Sequence, residues 1–285
     1  MKRKTSDLLF ATDMDDTLLN SKKEITAENQ RAIAEFIKDG GHFVIATGRA
    51  VPATEPYVKQ LGIREPCILY NGAGIYDFEQ HRFLWTASLP ETARGYLKDI
   101  LDMFPAVGAE ILYGDQIYVV RKNKYVSWHV DVEHLEYQEL SPDELPDGWF
   151  KVLFVMDSTL QDEVWQYMQG KAYPDVVFIK SSEIYLEMMP LGVSKGDTLL
   201  RLAQLIGVKQ EHTAAIGDYN NDIELIQKAA VGFAVANAPD EIRQIADVVA
   251  PDCNHDAVAW ALHYIHTNAS EKFGTVSTDG ERNHI

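Results

Sequence analysis

The sequence predicts an α/β fold: a doubly wound, Rossmann-like parallel sheet with an α+β domain inserted into it. Three observations carry this. Short apolar runs alternate with segments of helical period up to about residue 70 and again from Ser194 onward. Hairpin signals replace that alternation in between. Acidic or hydroxyl residues follow directly on several of the apolar runs, where an open parallel sheet receives its ligands.

The elements follow in order. Leu8–Thr12 is the first buried strand, and it runs straight into Asp13-Met14-Asp15-Asp16-Thr17. Residues 26–38 have helical spacing, with Ile33, Phe36 and Ile37 on one face and Gly40-Gly41 as the stop. His42–Ala46 is the next strand, followed by Thr47-Gly48-Arg49. Residues 53–61 form a short helix ended by Gly62, and Cys67–Tyr70 a third strand ended by Asn71-Gly72. Strand and helix alternating at this spacing imply right-handed parallel crossovers.

From about residue 75 the texture changes. Residues 75–77 and 83–86 read as a hairpin, as do 111–113 and 116–120 around the turn signal Gly114-Asp115. Strands are expected over 149–156, 176–180 and 185–189, with a helix over 160–168. The alternation returns with a helix over 195–205, for which Ser194 is the N-cap and Asp197 stands three residues on. A strand over 213–216 ends at Gly217-Asp218, followed by a helix over 223–230, a strand over 232–235 and a helix over 257–266. The expected division is a discontinuous core domain (1–82 and 188–270), an inserted cap domain (83–187) and a disordered polar tail (271–285).

With 285 residues, 46% of them hydrophobic and 24% charged, the chain has the make-up of a soluble globular protein with a sizeable core. A formal net charge of −17 argues against nucleic acid and against an anionic membrane surface as partners. No run approaches the ~18 apolar residues that span a bilayer. Two cysteines, Cys67 and Cys253, form no metal or redox pattern, so a reduced cytoplasmic setting is expected. The nine histidines are scattered and give zinc no support.

Three carboxylates within residues 13–16 repel one another, and burying any of them unpaired costs several kcal/mol. A hard cation such as Mg2+ is the usual remedy. Taken singly, each candidate residue also admits a duller role. Thr47 could be a loop hydroxyl, Lys195 a solvated lysine, and Asp218 and Asp222 helix-capping carboxylates. Taken together they form the inventory of phosphoryl transfer. Asp13 can be the nucleophile, and Asp15 can protonate the leaving oxygen and later activate water. Asp13, Asp218 and the backbone carbonyl of Asp15 can hold the metal, with Asp222 four residues on from Asp218 in support. Thr47 can donate to a phosphoryl oxygen, and Lys195 supplies a point charge.

Asp-x-Asp-x-Thr, a threonine at a strand end, a lysine and then Gly-Asp-x-x-Asn-Asp resemble the haloacid dehalogenase superfamily of phosphohydrolases. Ile45-Ala46-Thr47-Gly48-Arg49, Asn71-Gly72-Ala73, Gly192-Val193-Ser194-Lys195-Gly196 and Ala234-Val235-Ala236-Asn237-Ala238 narrow the resemblance to its Cof-like branch, whose cap is a class IIB α+β insertion. The resemblance covers roughly residues 7–270. It implies a Mg2+-dependent phosphatase of small phosphorylated metabolites, most plausibly sugar phosphates, working through an aspartyl-phosphate. Asp13 and Asp15 would be catalytic, Thr47 with Gly48-Arg49 and Lys195 would hold phosphate, and Asn221 would contact phosphate or substrate. The metal ligands would be Asp13, Asp15 and Asp218, with Asp222 behind them. Relatives often carry Gly where Asp16 stands. A phosphomutase of related fold and, from another class, a phospho-accepting receiver share part of this inventory. Receivers lack an acid/base two residues after the nucleophile, where Asp15 stands. In the insert, Tyr113, Tyr118, Tyr125 and Trp128 either pack within the cap or line its pocket.

Overall fold

The computed structural model describes residues 7–272. Its core is a five-stranded, all-parallel sheet. β1 (Leu9–Thr12) is followed by α1 (Ala27–Lys38), β2 (His42–Ile45), α2 (Val51–Leu61) and β3 (Cys67–Leu69). A hairpin, β4 (Gly74–Asp77) and β5 (Arg82–Thr86), comes next. The inserted segment contains α3 (Ala93–Met103), β6 (Gly108–Tyr113), β7 (Gln116–Arg121), α4 (Lys124–Val132) and the short β8 (Gln138–Glu139). It continues through β9 (Lys151–Val155), α5 (Ser158–Gly170), β10 (Val176–Lys180) and β11 (Tyr185–Pro190). The chain then returns through α6 (Lys195–Ile206), β12 (Thr213–Gly217), α7 (Ile223–Lys228), β13 (Val231–Val235), α8 (Asp240–Ile245), β14 (Val248–Ala250) and α9 (Ala257–Lys272).

The core strands run in the order β14-β13-β12-β1-β2. Their alternate residues face opposite ways, as a strand's two-residue period requires. Phe10, Phe43 and Phe233 pack with Ile33 and Phe36 of α1 and with Val258 and Leu262 of α9. Phe10 and Phe43 stack with ring centroids 5.8 Å apart. Leu9, Ala11, Val44 and Ala215 face the other way onto Leu199 and Leu202 of α6 and Leu225 of α7. Each fully buried leucine or phenylalanine contributes roughly 1.5–3 kcal/mol. Two faces each covered by helices explain why these strands read as unbroken apolar runs.

β3 departs from the expected parallel order. It touches the core sheet through a single parallel bridge, Ala46 to Ile68, and its hydrogen bonds go to the antiparallel ribbon β3-β4-β5. The hairpin over 74–86 therefore builds on β3, and a boundary at 82/83 falls inside β5, after its first residue. A boundary at 187/188 falls inside β11. Of the expected disordered tail, residues 271 and 272 belong to α9, and 273–285 lie outside the described residues.

The inserted segment forms its own six-stranded sheet, β10-β11-β9-β6-β7-β8. All neighbours are antiparallel except β7 and β8. Ala109, Ile111, Val152, Phe154 and Met188 pack under Leu97 and Leu101 of α3 and Val164 of α5. The alternate residues Leu112, Leu153 and Val155 join Val126 and Val130 of α4 and the core's cluster on the opposite face. The same pleat places Glu110, Lys151 and Glu187 on that inner face, over the carboxyl edge of the core sheet.

Candidate active site

Register brings the candidate residues together. Thr12 pairs with Ile216 on one side and with Ile45 on the other. The chain segments that leave β1, β2 and β12 therefore start at one level of the sheet. Asp13 N donates to the Ile216 carbonyl at 3.0 Å, which sets Asp13 beside Gly217-Asp218. Thr47 is held by two backbone bonds, its N to the Ile68 carbonyl (2.9 Å) and its carbonyl to Asn71 N (3.0 Å). The side-chain oxygen of Thr47 accepts from Arg49 N at 3.2 Å.

Glycine permits one close approach here. A Cβ on Gly217 would lie 2.5 Å from Asp222 Cβ. Its absence lets Asp222 tuck under the strand end, where Oδ2 accepts from the backbone N of Asp218 (3.0 Å) and Tyr219 (3.3 Å). Lys195 is the first residue of α6, after the N-cap Ser194, whose Oγ accepts from Asp197 N. That placement drives its fully buried ammonium between Asp13 Oδ1 at 2.6 Å and Asp222 Oδ1 at 2.7 Å.

Asp13, Asp218 and Asp222 offer oxygens all within 4.8 Å of one another. Lys195 is the one cation bonded to this group among the described residues. The charge imbalance shows in the titration of the group. Burial, against the pull of Lys195 and with the push of Asp222, raises the Asp13 carboxyl to about 7. Burial and the charges of Asp13 and Asp222 raise Asp218 well above the carboxylate range. Burial opposes the charge on Lys195, but Asp13 and Asp222 hold its pKa above the ordinary lysine value. An all-oxygen cluster short of positive charge fits a hard divalent cation. Both oxygens of Asp222 are already bonded within the protein, which leaves it a supporting place. Thr17 Oγ1 donates to Asp218 Oδ1 at 3.3 Å.

Asp15 points to the other side of the site. Arg49 grips it with two hydrogen bonds, Nε to Oδ2 and Nη2 to Oδ1, each 2.8 Å. Lys23 adds a third contact at 3.1 Å. Burial alone would raise this carboxyl, but Arg49 and Lys23 together hold it down at about 2. Asp16 is half-exposed and lies 3.6 Å from Lys23, so it belongs to the rim.

Asp13, Asp15, Thr47, Gly48, Arg49, Asn221 and Asp218 all line one cavity of about 810 Å3 between the core edge and the inner face of the cap. Lys195 and Asp222 lie beneath it. Several further lining residues are not among those the sequence singles out for the site. Asn71, in left-handed backbone at φ 53, donates to Glu187 at 2.7 Å and accepts from Asn221 at 3.0 Å. Lys151 joins cap to core, donating to the Gly48 carbonyl at 2.8 Å and to Glu187 at 2.9 Å. His129 of α4 bonds both oxygens of the fully buried Glu110 at 2.9 Å and reaches Glu133 at 3.4 Å, which in turn lies 3.6 Å from Arg49. Burial would lower His129, yet the two glutamates raise it to about 10, so it is an imidazolium. The signal for Asn71 is the Asn-Gly-Ala run that follows β3, and for Lys151 and Glu187 it is a charge inside an otherwise apolar strand, Lys-Val-Leu-Phe-Val (151–155) and Tyr-Leu-Glu-Met-Met (185–189). Of the insert's aromatics, Trp128 lines the cavity mouth, 53% exposed, while Tyr113 and Tyr118 pack in the cap core and Tyr125 donates to Asp157.

No helix among the described residues is long and apolar enough to cross a membrane. A family profile of haloacid dehalogenase-like hydrolases matches residues 10–262. A phosphatase of Bacillus subtilis, YwpJ, is 27% identical over 90% of this chain and 99% of its own. A 5-amino-6-(5-phospho-D-ribitylamino)uracil phosphatase of the same organism, YcsE, is 27% identical over 90% and 94%. A solved subclass IIB sugar phosphatase of the superfamily superposes with a TM-score of 0.79 at 20% identity, over 90% of this chain and 98% of its own, which bears on the fold. With every sequence motif gathered at one sheet edge under an α+β cap, the chain belongs to the haloacid dehalogenase-like hydrolases, in their Cof-like branch with a class IIB cap, and is a phosphoric monoester hydrolase.

Proposed function

We infer that the protein is a Mg2+-dependent phosphatase of small phosphorylated metabolites, of which sugar phosphates are the leading class, and that it works through an aspartyl-phosphate. The observation that carries this is Lys195 bridging Asp13 and Asp222 beside Asp218, directly under a cavity sized for a metabolite. Asp13, Asp218 and the backbone carbonyl of Asp15 would hold the ion, which when bound neutralises carboxylates and polarises the phosphoryl group.

The chain's own residues supply the rest. Asp13, its charge steadied by Lys195, attacks phosphorus as the bond to the leaving oxygen breaks. The Thr47 hydroxyl and the backbone N–H of Gly48 receive the equatorial oxygens, where negative charge accumulates. Asp15 gives its proton to the leaving oxygen. It then takes a proton from the water that attacks the aspartyl-phosphate, which releases phosphate and restores Asp13. Held at about 2 by Arg49 and Lys23, Asp15 has no proton to give. The acid step therefore requires Arg49 to exchange Asp15 for incoming phosphate, a swap suited to a planar five-donor fork. Asn71 and Asn221, joined to each other, face the substrate side of the same cavity.

A screen of phosphorylated metabolites for free phosphate, with Mg2+ and with chelator, tests this reading. Mg2+-dependent release from one or more neutral sugar phosphates is expected. Equal release in chelator would reject the metal role, and release from nucleic acid alone would reject the substrate class.

A further inference from the structure

Positive charge around the cavity is already committed within the protein. Lys151 is bonded to Glu187, Arg49 to Asp15 and Glu133, His129 to Glu110 and Glu133, and Lys23 to Asp15 and Asp16. No lysine or arginine among the described lining residues is left over for an anionic group on the leaving side of the substrate. One carboxylate leans the opposite way. Glu183, exposed on the turn between β10 and β11, lines the cavity and has no ion-pair partner among the described residues. The same turn carries Ser181, whose Oγ is shielded from water without a hydrogen-bond partner. It leads into Tyr185, whose ring packs edge-on against His129 at 5.4 Å between centroids. A carboxylate accepts hydrogen bonds and cannot donate, and the flanking hydroxyls do both. Such a surface welcomes hydroxyl and ammonium groups and repels carboxylate or phosphate.

We propose that residues 181–185 select the leaving group, with Glu183 as the specificity-determining residue: they admit phosphate monoesters bearing hydroxyl or amino groups and reject those bearing a second anion. This rests on the phosphatase reading above. Selectivity arises because the anionic competitor meets an uncompensated like charge at the cavity mouth, while the described cavity lining has no uncommitted lysine or arginine to offer it.

Three aryl phosphates that differ only in the para substituent (hydroxymethyl, aminomethyl or carboxylate) test it by steady-state phosphate release in Mg2+. In the unaltered protein the carboxylate ester should show kcat/KM at least about tenfold below the hydroxymethyl ester, chiefly through KM, as a like-charge contact predicts. The aminomethyl ester should equal or exceed the hydroxymethyl one. Glu183→Gln should bring the carboxylate ester to within about threefold of the hydroxymethyl ester, since half or more of the repulsion is removed. Glu79→Gln, the same charge change on the exposed β4–β5 turn, should keep the unaltered ratio. A carboxylate ester as good as its hydroxymethyl partner, an aminomethyl ester poorer than the carboxylate, or a ratio unmoved by Glu183→Gln would overturn the proposal while leaving the phosphatase reading intact. Release from none of the three, nor from 4-nitrophenyl phosphate, would bring down the phosphatase reading and the proposal with it.

Discussion

Arg49 and Asp15 face each other through two parallel hydrogen bonds of 2.8 Å, so the carboxyl proposed to move a proton is also held by the most geometrically demanding cation in the site. Lysine cannot reproduce a bidentate fork. Arg49→Lys is expected to lower kcat/KM by about tenfold or more, the equivalent of ~1.4 kcal/mol. Phosphate-release kinetics check this, and a variant at the unaltered rate would mean that the fork has no part in turnover.

Asp13→Asn should abolish turnover and leave the fold intact. The amide keeps the shape of the carboxyl and removes one charge from a crowded acidic group. Circular dichroism and phosphate release, measured together, decide it: a folded variant that still turns over rapidly would show that another residue accepts the phosphoryl group.

Metal addition should stabilise the folded chain. An ion bound only by the native state adds RT ln(1 + [L]/Kd), about 2.7 kcal/mol at a hundredfold excess over Kd. Thermal unfolding with Mg2+ against chelator should show a rise in Tm, and Asp218→Asn should remove most of it. An equal rise in that variant would exclude Asp218 as a ligand.

His129 gives a pH signature. Its folded pKa, raised to about 10 by Glu110 and Glu133, stands above the ordinary imidazole value of 6.5. Its stabilising contribution is therefore complete below about 6.5 and is lost as pH rises through about 10. His129→Asn should lower Tm most at acidic and neutral pH, with the gap closing toward pH 10. A gap that widened with pH would mean that the imidazole is neutral in the native state.

Lys151 and Glu187 form a nearly solvent-free pair. Breaking such a pair from one side costs about 3–5 kcal/mol, whereas replacing both partners by apolar groups is often close to neutral. Lys151→Met and Glu187→Leu should each destabilise strongly, and the double variant should recover much of the loss by chemical denaturation. Additive losses would show that the pair contributes little as a pair.

The core was legible because its signals are local. β1, β2 and β12 are short apolar runs ended by Asp13, Thr47 and Asp218, and their register follows from parallel pairing. The proposed catalytic residues share this local signal because each is tied to a strand end or a helix start. The helices Ala93–Met103 and Lys124–Val132 are absent from the predicted elements for different reasons. The first has a clear apolar stripe at Ala93, Leu97, Ile100 and Leu101, whereas the second, Lys-Tyr-Val-Ser-Trp-His-Val-Asp-Val, is rich in β-branched and aromatic residues that suit strands. Its cap Asn123, which accepts from Tyr125 N and Val126 N, is the readable sign. Glu110, Lys151 and Glu187 escape sequence reading because their partners lie 19 to 116 positions away, and only folding supplies them. The distances in sequence are shown by His129 with Glu110, 19 apart, and Lys151 with Glu187, 36 apart.

The strap from Lys151 to the Gly48 carbonyl joins the inserted sheet to the turn that would receive phosphate. Lifting the lid would cost that turn an ionic tether, so a vacant, gaping enzyme should be slacker at Thr47 than a shut one. Substrates that bring the two halves together would thereby tune the very loop that handles them, and water arriving alone would find it out of tune.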